Sequence, residues 1–353
     1  MRIALIFGGR SCEHEVSLRS AQNVREALRE AGHETVDIGI AQSGHWHLES
    51  GTFPALPSGT PDAAQDDLAL LPSSGRKWVW GDVDVVFPMV HGPTGEDGSL
   101  QGLLELANVP YVGCGVLGSA LAMDKDVAKR LLQAAGIPVT PYLVLQSAAL
   151  SEHAGIPWAR VHQAVGFPAF VKPANLGSSV GVSSVGDPQE LEGAVRQALR
   201  YDEKVIVEAA VPHARELEVS VLGRHELRAS IPGEIRLQTG FYDYHAKYID
   251  NSAELLIPAP LPPLTVSKLQ DLAVQAFRTL EGCGMGRVDF LMNGRSNELF
   301  LNEVNTIPGF TSISMYPKLW EASGLSRAQL MQRLLDIALE RHAAKQKLRT
   351  SLS

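Results

Sequence analysis

Residues 285–309 read Met285-Gly-Arg287-Val-Asp289-Phe-Leu-Met292-Asn-Gly-Arg-Ser-Asn-Glu-Leu299-Phe-Leu301-Asn-Glu303-Val-Asn305-Thr-Ile-Pro-Gly309. Two apolar runs, Met285 to Met292 and Leu299 to Leu301, read as adjacent strands. Pairing them brings Asp289, Glu303 and Asn305 together as oxygen donors. Hard divalent cations take oxygen ligands, and Mg²⁺ characteristically uses few protein ligands and completes its shell with nucleotide phosphates. The stretch therefore reads as a Mg²⁺–ATP site, and the rest of the chain should hold parts that bind phosphate.

The first such part is Phe170-Val-Lys172-Pro-Ala-Asn-Leu-Gly177-Ser178-Ser179-Val-Gly181. A strand ends in Lys172, and a Gly/Ser loop returns as a second strand over 180–185. Glycines let backbone N–H groups approach phosphate, serine hydroxyls add donors, and Lys172 supplies a point charge. A plain hairpin with a surface lysine has the same outline; the donor set at 289–305 tips the balance toward phosphate. A Walker loop is excluded, because no Gly-Lys-Ser/Thr is present and a strand follows instead of a helix. Met123-Asp-Lys125 offers a further phosphate lysine.

Glu208, ending the run Val205-Ile-Val-Glu208, and Glu216 are candidates for ribose or adenine contacts, although each alone would be an ordinary solvated strand end. Phe241-Tyr-Asp-Tyr244-His-Ala-Lys247-Tyr248 has no apolar period and reads as a functional lid. Lys247 would reach the γ-phosphate and Tyr248 a substrate. Near the N-terminus, Gly8-Gly9-Arg-Ser-Cys-Glu13 follows a first strand, where backbone can approach a ligand and Glu13 can anchor an ammonium. It lacks the third glycine and acidic partner of a dinucleotide fingerprint, which excludes a nicotinamide enzyme. His91-Gly-Pro-Thr-Gly-Glu96-Asp97-Gly98, after another buried strand, fits substrate binding.

With 353 residues the chain exceeds one ordinary core. A net charge of −8 argues against a nucleic-acid partner. No window approaches the length of a membrane span, and the short apolar N-terminus running into Gly8-Gly9 is a buried strand, not a secretion signal. Cys12, Cys114 and Cys283 are few, distant and odd in number, which suits free thiols in a reducing cytoplasm. Periodicity predicts a βαβ-like opening (strand 2–7, a helix through Leu18 to Ala31, strand 34–40), an exposed excursion over 50–76 and a strand over 84–88. Further on it predicts a helix capped by Asp124, helices over 158–165 and 188–200, strands over 168–172, 204–208, 217–222 and 227–231, and a helix over 264–281. A last helix begins at Ser326 with Leu330, Leu334 and Ile337 on one face.

Seven segments in this order resemble the D-alanine–D-alanine ligases, a branch of the ATP-grasp superfamily, over nearly the whole chain. They are Gly8-Gly-Arg-Ser-Cys-Glu13-His-Glu-Val-Ser, His91-Gly-x-x-Gly-Glu-Asp-Gly, Met123-Asp-Lys, Gly177-Ser-Ser-Val-Gly, Tyr244-x-Ala-Lys-Tyr248, Gly286-Arg-Val-Asp289 and Glu303-Val-Asn-Thr-x-Pro-Gly309. The resemblance implies an α/β, three-domain ATP-grasp fold: an N-terminal parallel α/β domain (1–121) and two α+β domains clamping ATP (122–211 and 212–353, with a lid at about 236–252). It implies that ATP is bound by Lys125, Lys172, Ser179, Glu208, Glu216 and Lys247. Two Mg²⁺ ions, with Mn²⁺ as a substitute, would be held by Asp289, Glu303 and Asn305. Glu13 would meet the ammonium of a first D-alanine and be linked to Ser178 and Tyr248; His91 would lie near that D-alanine. Arg287 and the backbone N–H of Gly309 would stabilise an oxyanion, and Ser314 would take the carboxylate of a second D-alanine. The expected activity is D-alanyl-D-alanine synthesis through a D-alanyl phosphate, for peptidoglycan, by a cytoplasmic homodimer. Three features qualify the match. His245 stands where relatives are often acidic. Residues 209–213 are small and apolar beside the adenine side. Tyr248, often Phe in D-lactate-using relatives, favours D-alanine. A D-alanine–D-lactate ligase and a non-catalytic nucleotide-binding module are the rivals; the second would need the metal and lid residues to be lost.

Overall fold

A computed structural model describes residues 1–49, 68–69, 77–78, 80–150, 156–237 and 253–352. The first sheet is built from β1 (Arg2–Gly8), β2 (Glu34–Ile40) and β3 (Trp46–Glu49), joined by β6 (Val85–Met89); two short strands, β4 (Leu68–Ala69) and β5 (Lys77–Trp78), pair separately. The order is β3-β2-β1-β6, with β1 parallel to both β2 and β6. Helix α1 (His14–Glu30) makes the first crossover, so the βαβ opening is present. Both faces of β1 are covered, which is why its sequence is continuously apolar. Ile3, Leu5 and Phe7 pack with Val24 and Leu28 of α1, while Ala4 and Ile6 pack with Trp80 and Leu104. At the end of β1, Gly8 has φ +89° and a Cβ there would lie 2.1 Å from the Ile40 carbonyl oxygen, so only glycine fits this turn.

Helices α2 (Ser99–Leu106), α3 (Val116–Met123) and α4 (Lys125–Ala134) lead into the second sheet. Asp124 caps α4 by accepting from the backbone N–H groups of Asp126 and Val127, as its position predicts. The second sheet contains β7 (Tyr142–Gln146), β8 (Ala169–Pro173), β9 (Ser183–Val185) and β10 (Lys204–Ala209) in the order β7-β10-β8-β9, with α5 (Trp158–Ala164) and α6 (Pro188–Ala198) packed against it. The strand expected over 180–185 is confined to its last three residues. Ser178 and Ser179 both adopt positive φ (50° and 58°), so the chain is still turning there and cannot yet pair.

The third sheet carries β11 (Ala214–Gly223), β12 (Leu227–Ala229), β13 (Gly233–Leu237), β14 (Ala253–Leu256), β15 (Gly284–Asn293) and β16 (Leu299–Asn305), in the order β14-β13-β11-β15-β16 with β12 paired to β11. Helix α7 (Pro263–Thr279) packs beneath it through Leu269, Ala273 and Phe277. The chain ends with α8 (Met315–Ala322) and α9 (Arg327–Gln346). Ser326 and Gln329 form a reciprocal capping box at the start of α9. Leu334, Leu335 and Ile337 of α9 then join the core of the first sheet, so the C-terminal helix closes the chain onto its N-terminal strands. The sequence does not announce strands β3, β4, β5, β7, β13 and β14 or helices α3 and α8. The excursion expected over 50–76 lies outside the described residues apart from Leu68–Ala69, as does most of the 236–252 segment.

Candidate active site

Strands β15 and β16 pair as expected, and their register sets Asp289 opposite Glu303 and Arg287 opposite Asn305. Side chains two apart on a strand share a face, so all four project together. The register shifts between Asp289 and Phe290, whose partner is Leu301, which leaves Asn302 as an extra residue on β16. Such a bulge re-aims neighbouring side chains. Here Asn302 accepts from Lys172 Nζ at 3.2 Å while the next residue, Glu303, meets Lys125 Nζ at 3.4 Å. Both lysines are thus drawn to one point on the third sheet.

Lys172 also donates to Glu208 at 3.0 Å. Glu208 is buried, and its other oxygen lies 3.3 Å from the equally buried Lys129. Burial alone would push the Glu208 carboxyl up, but Lys129 and Lys172 outweigh it and hold it at about 2. Its two oxygens face Lys129 and Lys172, and Glu208 is not among the residues that line the neighbouring cavity. Lys172 is held above its ordinary range, because Glu208 overcomes the burial that opposes its charge. It stays a fixed cation at the edge of a cavity of about 590 Å³. Lys125, Ser179, Glu216 and Glu303 border the same cavity. Its volume suits a nucleotide-sized ligand.

A second, smaller cavity of about 80 Å³ adjoins it and is lined by Glu13, His91, Glu96, Arg287, Gly309 and Ser314, among others. Gly177, Ser178, Ile235 and Glu303 border both cavities. Ser178 Oγ donates to Glu13, which sits at the N-terminal end of α1. Ser314 Oγ accepts from the Thr311 backbone N–H at 2.9 Å and lies so close to Gly309 that a Cβ on that glycine would approach it to 2.8 Å. His91 contacts Ser20 Oγ at 3.3 Å, and burial pulls its pKa down to about 4, so it is neutral at pH 7. A neutral imidazole does not repel an ammonium held at Glu13.

Arg287 forms a fork with Asp289, its Nε and a terminal nitrogen each 2.7 Å from a carboxylate oxygen, and Asn305 donates to Asp289 at 2.9 Å. Asp289, Glu303 and Asn305 offer two carboxylates and an amide oxygen on one face, the hard oxygen donors that fit Mg²⁺ with nucleotide phosphates. Lys247 and Tyr248 lie outside the described residues.

Glu96 and Glu218 are buried acids of the small cavity to which the sequence reading gave no role. The signal for Glu218 was present: it stands two residues from Glu216 on one strand and therefore on the same face. Glu96 accepts from the backbone N–H groups of Gly92 (2.7 Å) and Ile307 (3.2 Å), tying the loop after β6 to the loop after β16. Burial, then the nearby Glu13, push it up to about 8, against the pull of those two N–H groups. An unfolded glutamate titrates near ~4.3. The folded form therefore keeps a proton that the unfolded chain releases, and stability falls as pH rises from about 4.3 to about 8. Glu96→Gln is expected to flatten that fall; a urea-melt series across this range in which the variant keeps the wild-type slope would contradict it.

Comparison with known proteins shows which family the chain resembles over its whole length. Residues 2–114 match the family described as D-ala D-ala ligase N-terminus, and residues 131–336 that described as D-ala D-ala ligase C-terminus. The D-alanine--D-alanine ligase of Heliobacterium modesticaldum is 48% identical over 98% of this chain and 96% of its own length. The D-alanine--D-alanine ligase A of Salmonella typhimurium is 45% identical over 100% of this chain and 99% of its own. Among solved structures, the D-alanine-D-alanine ligase of Coxiella burnetii superposes with a TM-score of 0.80 at 37% identity, covering 98% of this chain and 96% of that one. The VanG D-Ala:D-Ser ligase of Enterococcus faecalis also gives 0.80, at 36% identity, over 96% and 99%.

Proposed function

The chain belongs to the D-alanine–D-alanine ligase family, and from that premise we propose that it joins two molecules of D-alanine at the expense of ATP. One observation carries this reading: a nucleotide-sized cavity and an amino-acid-sized cavity meet at a shared wall made by Gly177, Ser178, Ile235 and Glu303. A phosphoryl group at the end of a nucleotide in the larger chamber would abut a carboxylate in the smaller one.

A free carboxylate is a poor acyl donor because its leaving group would be oxide. Transfer of the γ-phosphoryl gives D-alanyl phosphate and ADP, and the acyl group then has phosphate as its leaving group. Attack by the amine of a second D-alanine forms the peptide bond and releases phosphate and a proton. Positioning and charge do most of this work. Lys125 and Lys172 hold phosphates, assisted by Ser179 and, from the lid, Lys247. Glu216 takes the ribose side, and Glu208 fixes Lys172. Glu13 binds the ammonium of the first D-alanine, with Ser178 and Tyr248 linked to it and neutral His91 beside it. Arg287 and the Gly309 N–H receive the oxyanion, and Ser314 the second carboxylate. The family uses ATP with a divalent cation; we take this to be two Mg²⁺ ions, replaceable by Mn²⁺, held by Asp289, Glu303 and Asn305, neutralising phosphate charge. Tyr248 and the lid over about 236–252 keep water from the acyl phosphate.

The units 1–121, 122–211 and 212–353 are the corresponding domains. No helix among the described residues is long and apolar enough to cross a membrane. We place the enzyme in the cytoplasm as a homodimer, supplying the dipeptide for peptidoglycan. Purified protein with ATP and Mg²⁺ is expected to release ADP and phosphate only when D-alanine is added, with one dipeptide per phosphate. Offering D-serine and D-lactate as acceptors beside D-alanine tests the second site. No D-alanine-dependent phosphate release would overturn the reading.

A further inference from the structure

Glu218 lies on β11 directly opposite Asp289 of β15, and Asp289 lies opposite Glu303 of β16. Three carboxylates thus stand in one row across three strands. The adjacent row is Ser220, Arg287 and Asn305. Arg287 meets carboxylates on two strands: its fork, including the one Nε–H, donates to Asp289, and Glu218 Oε2 lies 2.9 Å from the same Nε as an ion pair, not a hydrogen bond. Glu218 is only 7% exposed and borders the small cavity together with Arg287.

We propose that Glu218 is a positioning residue for Arg287, fixing the guanidinium from β11 so that its donors stay directed at the small cavity while Asp289 serves the divalent cation. This rests on the reading of Arg287 as the group that receives the oxyanion. A guanidinium whose one counter-ion is also a metal ligand has its contact weakened when the cation takes up the carboxylate's charge. A second carboxylate on a neighbouring strand removes that dependence, and a planar guanidinium has donors enough to meet both and still face a substrate oxygen. The preorganised donor matters because an aligned charge needs no reorientation as the oxyanion develops.

The test uses Glu218→Gln, Glu218→Asp, Arg287→Lys and the double variant Glu218→Gln/Arg287→Lys in the full-length enzyme. Steady-state kinetics are combined with two binding measurements. One is calorimetric titration with a phosphinate dipeptide analogue, whose tetrahedral centre mimics the addition intermediate. The other is Mn²⁺ titration of the ADP complex followed by electron spin resonance. Glu218→Gln is expected to lower kcat roughly 10-fold by removing the charge of a buried ion pair, and to weaken the phosphinate by a similar factor. The KM for ATP and the Mn²⁺ affinity should stay within about twofold, because Glu218 touches neither in this account. Glu218→Asp should recover part of the loss. In the Arg287→Lys background Glu218→Gln should add little, since coupled residues are non-additive.

If Glu218→Gln keeps wild-type kcat and phosphinate affinity while Arg287→Lys loses both, the positioning role fails and the reading of Arg287 stands. If Arg287→Lys keeps both, the reading of Arg287 fails first. A marked loss of Mn²⁺ affinity in Glu218→Gln would make Glu218 a metal ligand and overturn the proposal.

Discussion

Arg287→Ala is expected to lower kcat for dipeptide formation by about 10²–10³-fold, the usual consequence of removing one donor from an oxyanion site. The KM for ATP should change little, since Arg287 borders the small cavity and not the nucleotide-sized one. The guanidinium sits between Glu218 and Asp289 on neighbouring strands and is mostly buried, so it is aimed before substrate arrives. Truncation removes that aim and leaves two carboxylates facing each other without their shared cation. A chain that neither folds worse nor turns over more slowly as Arg287→Ala would remove Arg287 from the reaction. Comparing kcat and KM separately, with thermal stability as a control, distinguishes loss of the donor from loss of the fold.

Lys172→Ala is expected to act on binding and on stability together. The ammonium, carried on β8, ties that strand to Glu208 of β10 in the same sheet and to Asn302 at the bulge of the third. Without it the KM for ATP should rise at least about tenfold, the value of one charge-assisted phosphate contact. Glu208 would keep only Lys129 and Thr140 as neighbours. Its depressed pKa contributes stability that is present above the unfolded value near ~4.3 and lost as pH falls toward about 2. Weakening the depression raises the folded pKa, so acid unfolding of the variant should begin at higher pH than in the wild type. Unchanged ATP affinity would take Lys172 out of the phosphate site; an unchanged acid midpoint would show that Lys129 alone sustains Glu208.

Much of the site was legible because strand periodicity is simple. Arg287, Asp289, Glu303 and Asn305 lie at spacings that a regular hairpin puts on one face, and the apolar runs around them announce the strands. The N-terminal βαβ unit was equally plain, since β1 is buried on both sides and Gly8 marks its turn. What escaped reading depended on contacts between distant segments. The extra residue Asn302 breaks the alternation, and nothing local in Leu-Asn-Glu says that it will reach Lys172. Glu208 looked like a strand end facing ligand because Lys129, 79 positions earlier, cannot be seen to share its interior. Glu96 carries no role on its motif alone, because only one of its partners, the Gly92 N–H, is local and the other is a backbone N–H of the loop after β16. Strands β13 and β14 flank the polar, aromatic-rich 236–252 segment, whose composition masks their short apolar alternation.

In the proposed function Asp289 and Glu303 share divalent cations with a triphosphate beside the two cavities. Anomalous diffraction from crystals grown with Mn²⁺ and a non-hydrolysable ATP analogue measures this directly. The account predicts manganese peaks within coordination distance of both carboxylates and of the terminal phosphates, with Lys125 and Lys172 on those phosphates. Manganese or triphosphate found away from Asp289 and Glu303 would contradict it.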